Sequence, residues 1–230
     1  MLSVNDLSVK YPDGNRVLKS INFALESGES VAVVGANSAG KTTLLLAVVG
    51  VLGAETGTVS LNGLTLNKKN LAHFRKIIGL VFQNPDDQLF MPNVYEDVAF
   101  GPRNLKYTEA KTRECVEEAL SQLEISHLSS RSPFKLSGGE KRLAAIATVL
   151  SMQPDFLLFD EPTAYLDPCA KRNLKNVING LPQGKLIATH DLSFAAETCS
   201  RVIILKEGKI IADDAVACLK DTALLENAGL

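Results

Sequence analysis

The sequence has no tryptophan, only three histidines and no apolar run long enough for a membrane span. Its longest apolar stretch, Leu44 to Ala54, is about half the length of a transmembrane helix, and glycines interrupt it. The N-terminal residues include neither a basic leader nor an apolar segment, which argues against a secretory signal. We therefore expect a soluble chain that reaches a membrane only through a protein partner.

The four cysteines, Cys115, Cys169, Cys199 and Cys218, are widely and irregularly spaced. They form no CxxC pair, and no histidine lies at zinc-site spacing from two of them. This pattern favours separate thiols in a reducing cytoplasm over a disulfide framework or a structural zinc site.

The charges almost cancel, with 24 basic residues, 26 acidic residues and a pI near 6.0. The chain as a whole therefore lacks the basic surplus that is typical of nucleic-acid binding, and we expect no nucleic-acid partner. A hydrophobic content of 46% over 230 residues is ample for a buried core.

The first third of the chain has the pattern of β-strands. Apolar residues alternate along 2–9 and 21–25, and this period of two predicts half-buried antiparallel strands. Ser30 to Val34 is instead continuously apolar, which is typical of a strand covered on both faces. Later strands alternate with helices, which indicates a parallel sheet of α/β type. These alternating strands are predicted at 156–159, 186–188 and 202–205, with helices that begin near Pro168 and Asp191. A helix at 41–49 and further strands at 58–61 and 77–82 are predicted earlier in the chain.

The middle of the chain reads as helical, with helices predicted at 94–101, 108–123 and 138–151. We therefore expect a single domain, residues 1–230, in which a helical subdomain interrupts an α/β core. The core would comprise 1–82 and 151–230, and the helical subdomain 83–150.

The segment GANSAGKT, Gly35 to Thr42, matches the whole pattern GxxxxGK[ST] of phosphate-binding loops. Its glycines permit backbone N–H groups to point inward, and the following helix adds its positive end. Lys41 supplies a charge for the β- and γ-phosphates, and the hydroxyl of Thr42 is placed to ligate Mg²⁺. The motif predicts that the chain binds a nucleoside triphosphate with Mg²⁺. The predicted nucleotide contacts here are Gly35, Ala36, Asn37, Ser38, Ala39, Gly40, Lys41, Thr42 and Thr43.

A second candidate element is the apolar stretch Phe156 to Phe159 with the two carboxylates that follow it. Asp160, at the end of the strand, can hold Mg²⁺ opposite Thr42, while Glu161 can polarise the attacking water. An acidic turn after a buried strand is common, so the functional interpretation depends on the phosphate loop elsewhere in the chain.

The third element is LSGGE, Leu136 to Glu140. Ser137 and Glu140 have the spacing of a helix capping box, and an apolar run follows them. Capping alone does not explain Gly138 and Gly139, because glycine weakens a helix by about 1 kcal/mol relative to alanine. They are explained if the backbone N–H groups must approach an anion closely, so that one cap both starts the helix and forms an anion site.

With these motifs in this order, the chain resembles the ATP-binding subunits of ATP-binding cassette (ABC) transporters over nearly its whole length. The resemblance implies the α/β P-loop NTPase fold of ABC ATPases, with an antiparallel β subdomain and an inserted α-helical subdomain. Gly35 to Thr42 is then the Walker A motif, Phe156 to Asp160 the Walker B motif with Glu161 as catalytic carboxylate, and Leu136 to Glu140 the signature motif.

The resemblance also assigns roles to isolated residues. Tyr11 stands where an aromatic ring stacks on adenine, and Gln83 where a glutamine senses Mg²⁺ and the membrane partner. Asp167 is similar to an aspartate that crosses the dimer interface, and His190 to a histidine that contacts the γ-phosphate. The implied catalytic set is Lys41, Gln83, Glu161 and His190, and the implied metal ligands are Thr42, Gln83 and Asp160. The implied nucleotide contacts also include Tyr11, Ser137, Gly138, Gly139, Glu140 and Asp167.

Residues 82–90 (FQNPDDQLF) and 96–102 (EDVAFGP) narrow the resemblance to the energy-coupling-factor importers, which take up cobalt or nickel ions, biotin and other vitamins. The chain departs from the family at two positions. Ser38 replaces a glycine that is usual in the phosphate loop, and Tyr165 stands where a small residue is common. Either could alter the loop geometry or dimer closure.

The resemblance implies that two ATPase subunits, identical or related, hold Mg·ATP between the phosphate loop of one and Ser137 to Gly139 of the other. An integral membrane transport subunit would place them at the cytoplasmic face of the cell membrane. One alternative is a non-transport ABC ATPase acting on DNA or ribosomes, but such proteins usually have coiled coils, two cassettes or basic surfaces. Another is a metabolite kinase, which would leave LSGGE and His190 unexplained.

Overall fold

A computed structural model describes all 230 residues. The strands are β1 (Leu2–Lys10), β2 (Arg16–Leu25), β3 (Ser30–Val34), β4 (Thr56–Leu61), β5 (Leu64–Thr65), β6 (Ile78–Val81), β7 (Phe156–Asp160), β8 (Gly184–Thr189), β9 (Arg201–Lys206) and β10 (Lys209–Ala215). The helices are α1 (Lys41–Val48), α2 (Leu71–Ile77), α3 (Val94–Asn104), α4 (Glu109–Gln122), α5 (Gly138–Leu150), α6 (Pro168–Gly180), α7 (Leu192–Thr198) and α8 (Thr222–Ala228). No helix combines the length and the apolar character that crossing a membrane requires.

The smaller of the two sheets is antiparallel and has the strand order β2-β1-β4-β5. Val4 of β1 pairs with Phe23 of β2 on one side and with Val59 of β4 on the other. All three side chains are buried, while the exposed neighbour Asn5 pairs with the exposed Thr58. The predicted antiparallel unit is therefore present, and its alternating residues bury one face of the sheet and expose the other.

The larger sheet has the order β10-β9-β3-β8-β7-β6. Its five strands from β9 to β6 are parallel, and β10 pairs with β9 in the antiparallel sense at one edge. Val31 and Val33 pack into one hydrophobic cluster, and Ala32 and Val34 into another. The apolar run of β3 is thus buried on both faces, as predicted.

The strand predicted at 77–82 is shorter than expected, because Ile77 ends α2 and β6 covers only Ile78–Val81. The sequence did not predict α2, which has a single buried residue, Phe74, and hence no apolar stripe. The helical stretch in the middle of the chain contains α3, α4 and α5. Its cluster of buried side chains also includes Leu157 and Phe159 of β7, so these helices share a core with the larger sheet.

Candidate active site

The phosphate loop connects the carboxyl end of β3 to the N-terminus of α1. A Cβ atom at Gly35 would lie 2.3 Å from the carbonyl oxygen of Leu205, so only glycine fits there. Gly40 has a φ of 108° and Ser38 a φ of 70°, which places both residues in the left-handed region. Ser38 therefore takes a backbone conformation that glycine adopts readily.

Lys41 is buried at the start of α1, and its Nζ atom donates to the carbonyl oxygen of Gly35 at 2.8 Å. The same Nζ atom lies 3.5 Å from Oε1 of Glu161. Gly40 caps α1 without a side-chain hydrogen bond, so no side chain occupies the N–H groups of the first turn. The loop therefore combines free backbone donors, the helix dipole and an ammonium group, which together attract an anion such as phosphate.

The two carboxylates at the end of β7 have different surroundings. Asp160 is buried, and its Oδ1 atom has no hydrogen-bond partner. Burial raises the pKa of Asp160, while the hydroxyl of Thr42 lowers it. Glu161 has a φ of 43°, and its backbone N–H donates to the carbonyl of Ala188 at 2.8 Å, which fixes this turn on β8.

The oxygen atoms around the unpaired Oδ1 atom of Asp160 show whether the site fits Mg²⁺. Thr42, Gln83 and Asp160, the three predicted metal ligands, line one cavity of about 700 Å³. A hydroxyl, an amide and a carboxylate are the oxygen donors that Mg²⁺ accepts, and a buried carboxylate oxygen without a partner is suited to a cation. The residues present therefore fit the metal.

A neighbouring cavity of about 660 Å³ brings the four predicted catalytic residues together: Lys41, Gln83, Glu161 and His190. The phosphate loop contributes Asn37 to Thr43 to its lining. Sequence reasoning missed four further polar residues of the lining, Asn15, Thr163, Lys171 and Asp191, because no motif marks them.

Tyr11 does not line this cavity. Its hydroxyl lies 3.2 Å from Oγ1 of Thr43, and the side chain is half-buried. Two residues that do line the cavity, Asn15 and Val17, follow Tyr11 in the chain. The stacking of Tyr11 on adenine stays a prediction.

The capping box predicted at LSGGE is present at the start of α5. Oγ of Ser137 accepts the backbone N–H of Glu140 at 3.3 Å, and Oε2 of Glu140 accepts the backbone N–H of Ser137 at 2.8 Å. The backbone N–H and the hydroxyl of Ser137 together lower the pKa of Glu140.

The LSGGE residues do not share a cavity with the phosphate loop of the same chain. Ser137, Gly138, Gly139 and Glu140 line a separate cavity of about 420 Å³, together with Asp167. The two cavities are distinct, and their linings share only Tyr165 and Leu166.

Asp167 is the N-cap of α6. Its Oδ1 atom accepts the backbone N–H groups of Cys169 at 2.8 Å and Ala170 at 3.0 Å. The hydrogen bonds from Ala170 and Cys169 lower the pKa of Asp167. The residue therefore has a local structural role, and its role across a dimer interface stays a prediction.

Sequence reasoning missed Arg142, the largest fully buried side chain, which is 1% exposed. Its guanidinium donates to the carbonyl oxygens of Phe82 and Gln83, each at 2.7 Å. Burial lowers the pKa of Arg142 to about 10, so the group stays protonated at neutral pH. Arg142 precedes Ile146 and Val149 at helical spacing, and a cation on that apolar stripe was the available signal. It ties the LSGGE helix to the segment that contains Gln83.

Comparisons with known proteins identify the family of this chain. The sequence profile of the ABC transporter family matches residues 18–164. A putative ABC transporter ATP-binding protein of Geobacter sulfurreducens is 48% identical over 93% of this chain and 86% of its own length. The energy-coupling factor transporter ATP-binding protein EcfA of Carboxydothermus hydrogenoformans is 40% identical over 100% of this chain and 86% of its own length. The cobalt import ATP-binding protein CbiO of Rhodobacter capsulatus is 42% identical over 100% of this chain and 84% of its own length.

Two solved structures have the same fold. CbiO1 of Clostridium perfringens, part of the ABC transporter complex CbiONQ, superposes with a TM-score of 0.87 at 35% identity, covering 98% of this chain and 93% of its own. A dimeric ATP-binding cassette in a post-hydrolysis state, bound to ADP and Pi, has a TM-score of 0.82 at 26% identity, covering 94% and 99%. The chain therefore belongs to the ABC transporter family, as one of its ATP-binding ATPase subunits.

Proposed function

We propose that this chain is the ATP-hydrolysing subunit of an energy-coupling-factor importer whose cargo is cobalt, nickel or a vitamin such as biotin. The similarity to EcfA and CbiO over the whole chain supports the importer class. One observation carries the catalytic part. Glu161 lies between Lys41 and His190 in the cavity that the phosphate loop lines.

In this proposal the backbone donors of the loop and the Nζ atom of Lys41 bind the β- and γ-phosphates of ATP. The contacts of Lys41 with Gly35 and Glu161 would be exchanged for phosphate oxygens. Glu161 would then orient water for in-line attack on the γ-phosphate, and His190 would hold Glu161 in place. Mg²⁺, held by Thr42, Gln83 and Asp160, supplies charge neutralisation at the phosphates when bound.

The proposal includes a dimer of ATPase subunits. The phosphate loop and the LSGGE residues line different cavities of one chain, so each cavity would supply one half-site for ATP. In a pair, Ser137 to Gly139 of one subunit would cover the phosphate loop of the other. ATP then contributes contacts to the closed dimer, and hydrolysis removes the γ-phosphate contacts that held it shut.

An exposed aromatic surface supports a membrane partner at the cytoplasmic face. Phe90 is 58% exposed and packs edge-on against Phe100 with ring centroids 5.1 Å apart. Oδ1 of the buried Asp97 accepts the backbone N–H groups of Phe90 and Met91, which fixes this segment. We propose that the integral membrane subunit docks on Phe90 and Phe100, because exposed aromatic pairs are typical of interfaces and this segment follows Gln83 in the chain.

The first experiment measures phosphate release from Mg·ATP in the absence of any acceptor, which a metabolite kinase would not support. Glu161→Gln should abolish turnover and leave an ATP-bound dimer that size exclusion with light scattering detects. Normal hydrolysis by Glu161→Gln would remove Glu161 from the catalytic role. Co-purification with membrane proteins, as opposed to ribosomes or DNA, separates the importer from a non-transport ATPase. Uptake of labelled cobalt, nickel and biotin by cells with and without the chain then tests the cargo.

A further inference from the structure

Tyr165 combines two properties that folding of one chain does not explain. Its side chain is 92% exposed, although it is a large aromatic residue. Its φ is 62°, in the left-handed region that bulky side chains rarely adopt. Such features persist at functional sites, where a strained backbone presents a side chain to a ligand or a partner.

The position of Tyr165 is the second observation. It lies five residues after Asp160, in the turn before α6. Tyr165 and Leu166 line both the phosphate-loop cavity and the LSGGE cavity. Tyr165 therefore lies between the two half-sites on the surface of the chain.

This inference rests on the proposed ATP-bound dimer, in which two-fold symmetry brings the Tyr165 residues of the two copies together. In a two-fold dimer of identical chains, each LSGGE cavity closes over the phosphate-loop cavity of the other copy. The symmetry axis then passes midway between the two cavities of each chain. A residue that lies at that midpoint meets its own counterpart.

We infer that Tyr165 is an aromatic anchor of the ATP-bound dimer, and that its partner is a second copy of this chain. The two Tyr165 side chains contact each other across the two-fold axis. Aromatic residues are enriched among the residues that dominate interface affinity, and aromatic pairs add directional packing to the burial of apolar area. A small residue at this position would leave a gap between the two subunits at the two-fold axis. Tyr165 therefore favours pairing with an identical subunit.

A single-tryptophan variant tests the position directly, because the chain contains no tryptophan. Tyr165→Trp in the Glu161→Gln background should emit at long wavelength without nucleotide and shift to shorter wavelength with Mg·ATP, as water leaves the ring. Leu64→Trp in the same background is the control, since Leu64 is exposed on β5 and lines neither cavity, so its emission should not move with ATP. An unshifted Tyr165→Trp emission in a dimer that has formed would overturn the inference.

A second measurement separates the ring from the backbone. Tyr165→Phe keeps the ring, whereas Tyr165→Asn removes it but keeps a residue that tolerates a left-handed backbone. In the Glu161→Gln background, Tyr165→Asn should weaken the ATP-dependent dimer by at least about tenfold, and Tyr165→Phe by less than about threefold. Equal dimer affinity in all three proteins would refute the role of Tyr165 and leave the proposed ATPase mechanism standing. If Glu161→Gln alone forms no dimer with ATP, the proposed dimer and the Tyr165 contact both fail.

Discussion

The Nδ1 atom of His190 lies 2.8 Å from Oε2 of Glu161, and the backbone N–H of His190 donates to the same oxygen at 3.2 Å. The other oxygen of Glu161 is 3.5 Å from Nζ of Lys41. The Glu161 side chain is 9% exposed and that of His190 is 62% exposed. One buried carboxylate is therefore fixed by two groups from distant parts of the sequence, and His190 still presents its ring to the cavity.

Replacing His190 by Ala should lower kcat for ATP by at least about tenfold, because Glu161 loses the group that orients it. Stability should change by less than about 0.5 kcal/mol, since the removed side chain is exposed. Steady-state phosphate release and thermal unfolding measure the two effects. His73→Ala, at an exposed histidine of α2, is the matched control and should leave kcat unchanged. An unaltered kcat for His190→Ala would contradict the orienting role.

Local patterns in the sequence were sufficient for much of the fold. The apolar run of β3, the alternation in β1 and the capping box at Ser137 and Glu140 each depend on neighbours within a few residues. The antiparallel edge strand β10 was missed, because its exposed residues obscure the alternation of a strand. Helix α2 was missed because it buries a single side chain.

The site required information from distant parts of the chain. The phosphate loop is recognisable alone, but Gln83 and His190 come next to it only through the order of strands in the larger sheet. The family resemblance predicted their roles, whereas spacing did not. The apolar stripe of α5 signals that Arg142 is buried, but nothing in the sequence marks its partners, which are backbone carbonyls 59 and 60 residues away.

Gly138→Ala separates the two interpretations of LSGGE. A Cβ atom at Gly138 would lie 3.8 Å from Leu166, which is an ordinary contact, so alanine fits the isolated chain. We expect the free energy of unfolding to rise by about 0.5 kcal/mol, because alanine favours a helix over glycine. ATP hydrolysis and the ATP-trapped dimer should nevertheless be lost, because the methyl group would lie between the backbone donors and the partner's phosphate.

Gly180→Ala in α6 is the control for that experiment. A Cβ atom there meets no other atom within 4 Å, so the substitution should stabilise the chain by a similar amount. Its ATPase activity should stay at the level of the unaltered chain. If Gly138→Ala is as active as Gly180→Ala, LSGGE is a helix cap alone.

Arg142→Met tests the link between α5 and the segment that contains Gln83. Replacing a buried charge by an apolar side chain of similar length should change stability by less than about 2 kcal/mol, since lost hydrogen bonds are offset by relieved desolvation. The carbonyls of Phe82 and Gln83 lose their shared donor, so kcat/KM for Mg·ATP should fall at least about tenfold. Faster hydrogen exchange of the backbone amides around Gln83 in Arg142→Met would show that the fall in kcat/KM arises from this segment.

Lys185 provides the matched control for Arg142. It is also a buried cation that donates to backbone carbonyls, with Nζ at 2.6 Å from the oxygen of Leu181, and burial lowers its pKa. It lies in β8 and lines neither the phosphate-loop cavity nor the LSGGE cavity. Lys185→Met should therefore alter stability without altering kcat/KM. A similar fall in both variants would mean that Arg142 acts only through folding.

Glu140→Gln should remove a pH-dependent contribution to stability. Ser137 lowers the pKa of Glu140 in the folded chain, so the charged carboxylate stabilises the fold fully above its ordinary pKa of 4.5. That contribution is lost as the pH falls below 4.5 and through the lowered folded value. Denaturant titrations should show Glu140→Gln less stable by about 0.5 kcal/mol at pH 7, with the gap closing in acid. Glu117→Gln, on the exposed face of α4, is the control and should be as stable as the unaltered chain. A stability difference for Glu140→Gln that stays constant with pH would rule out a contribution from the charged carboxylate.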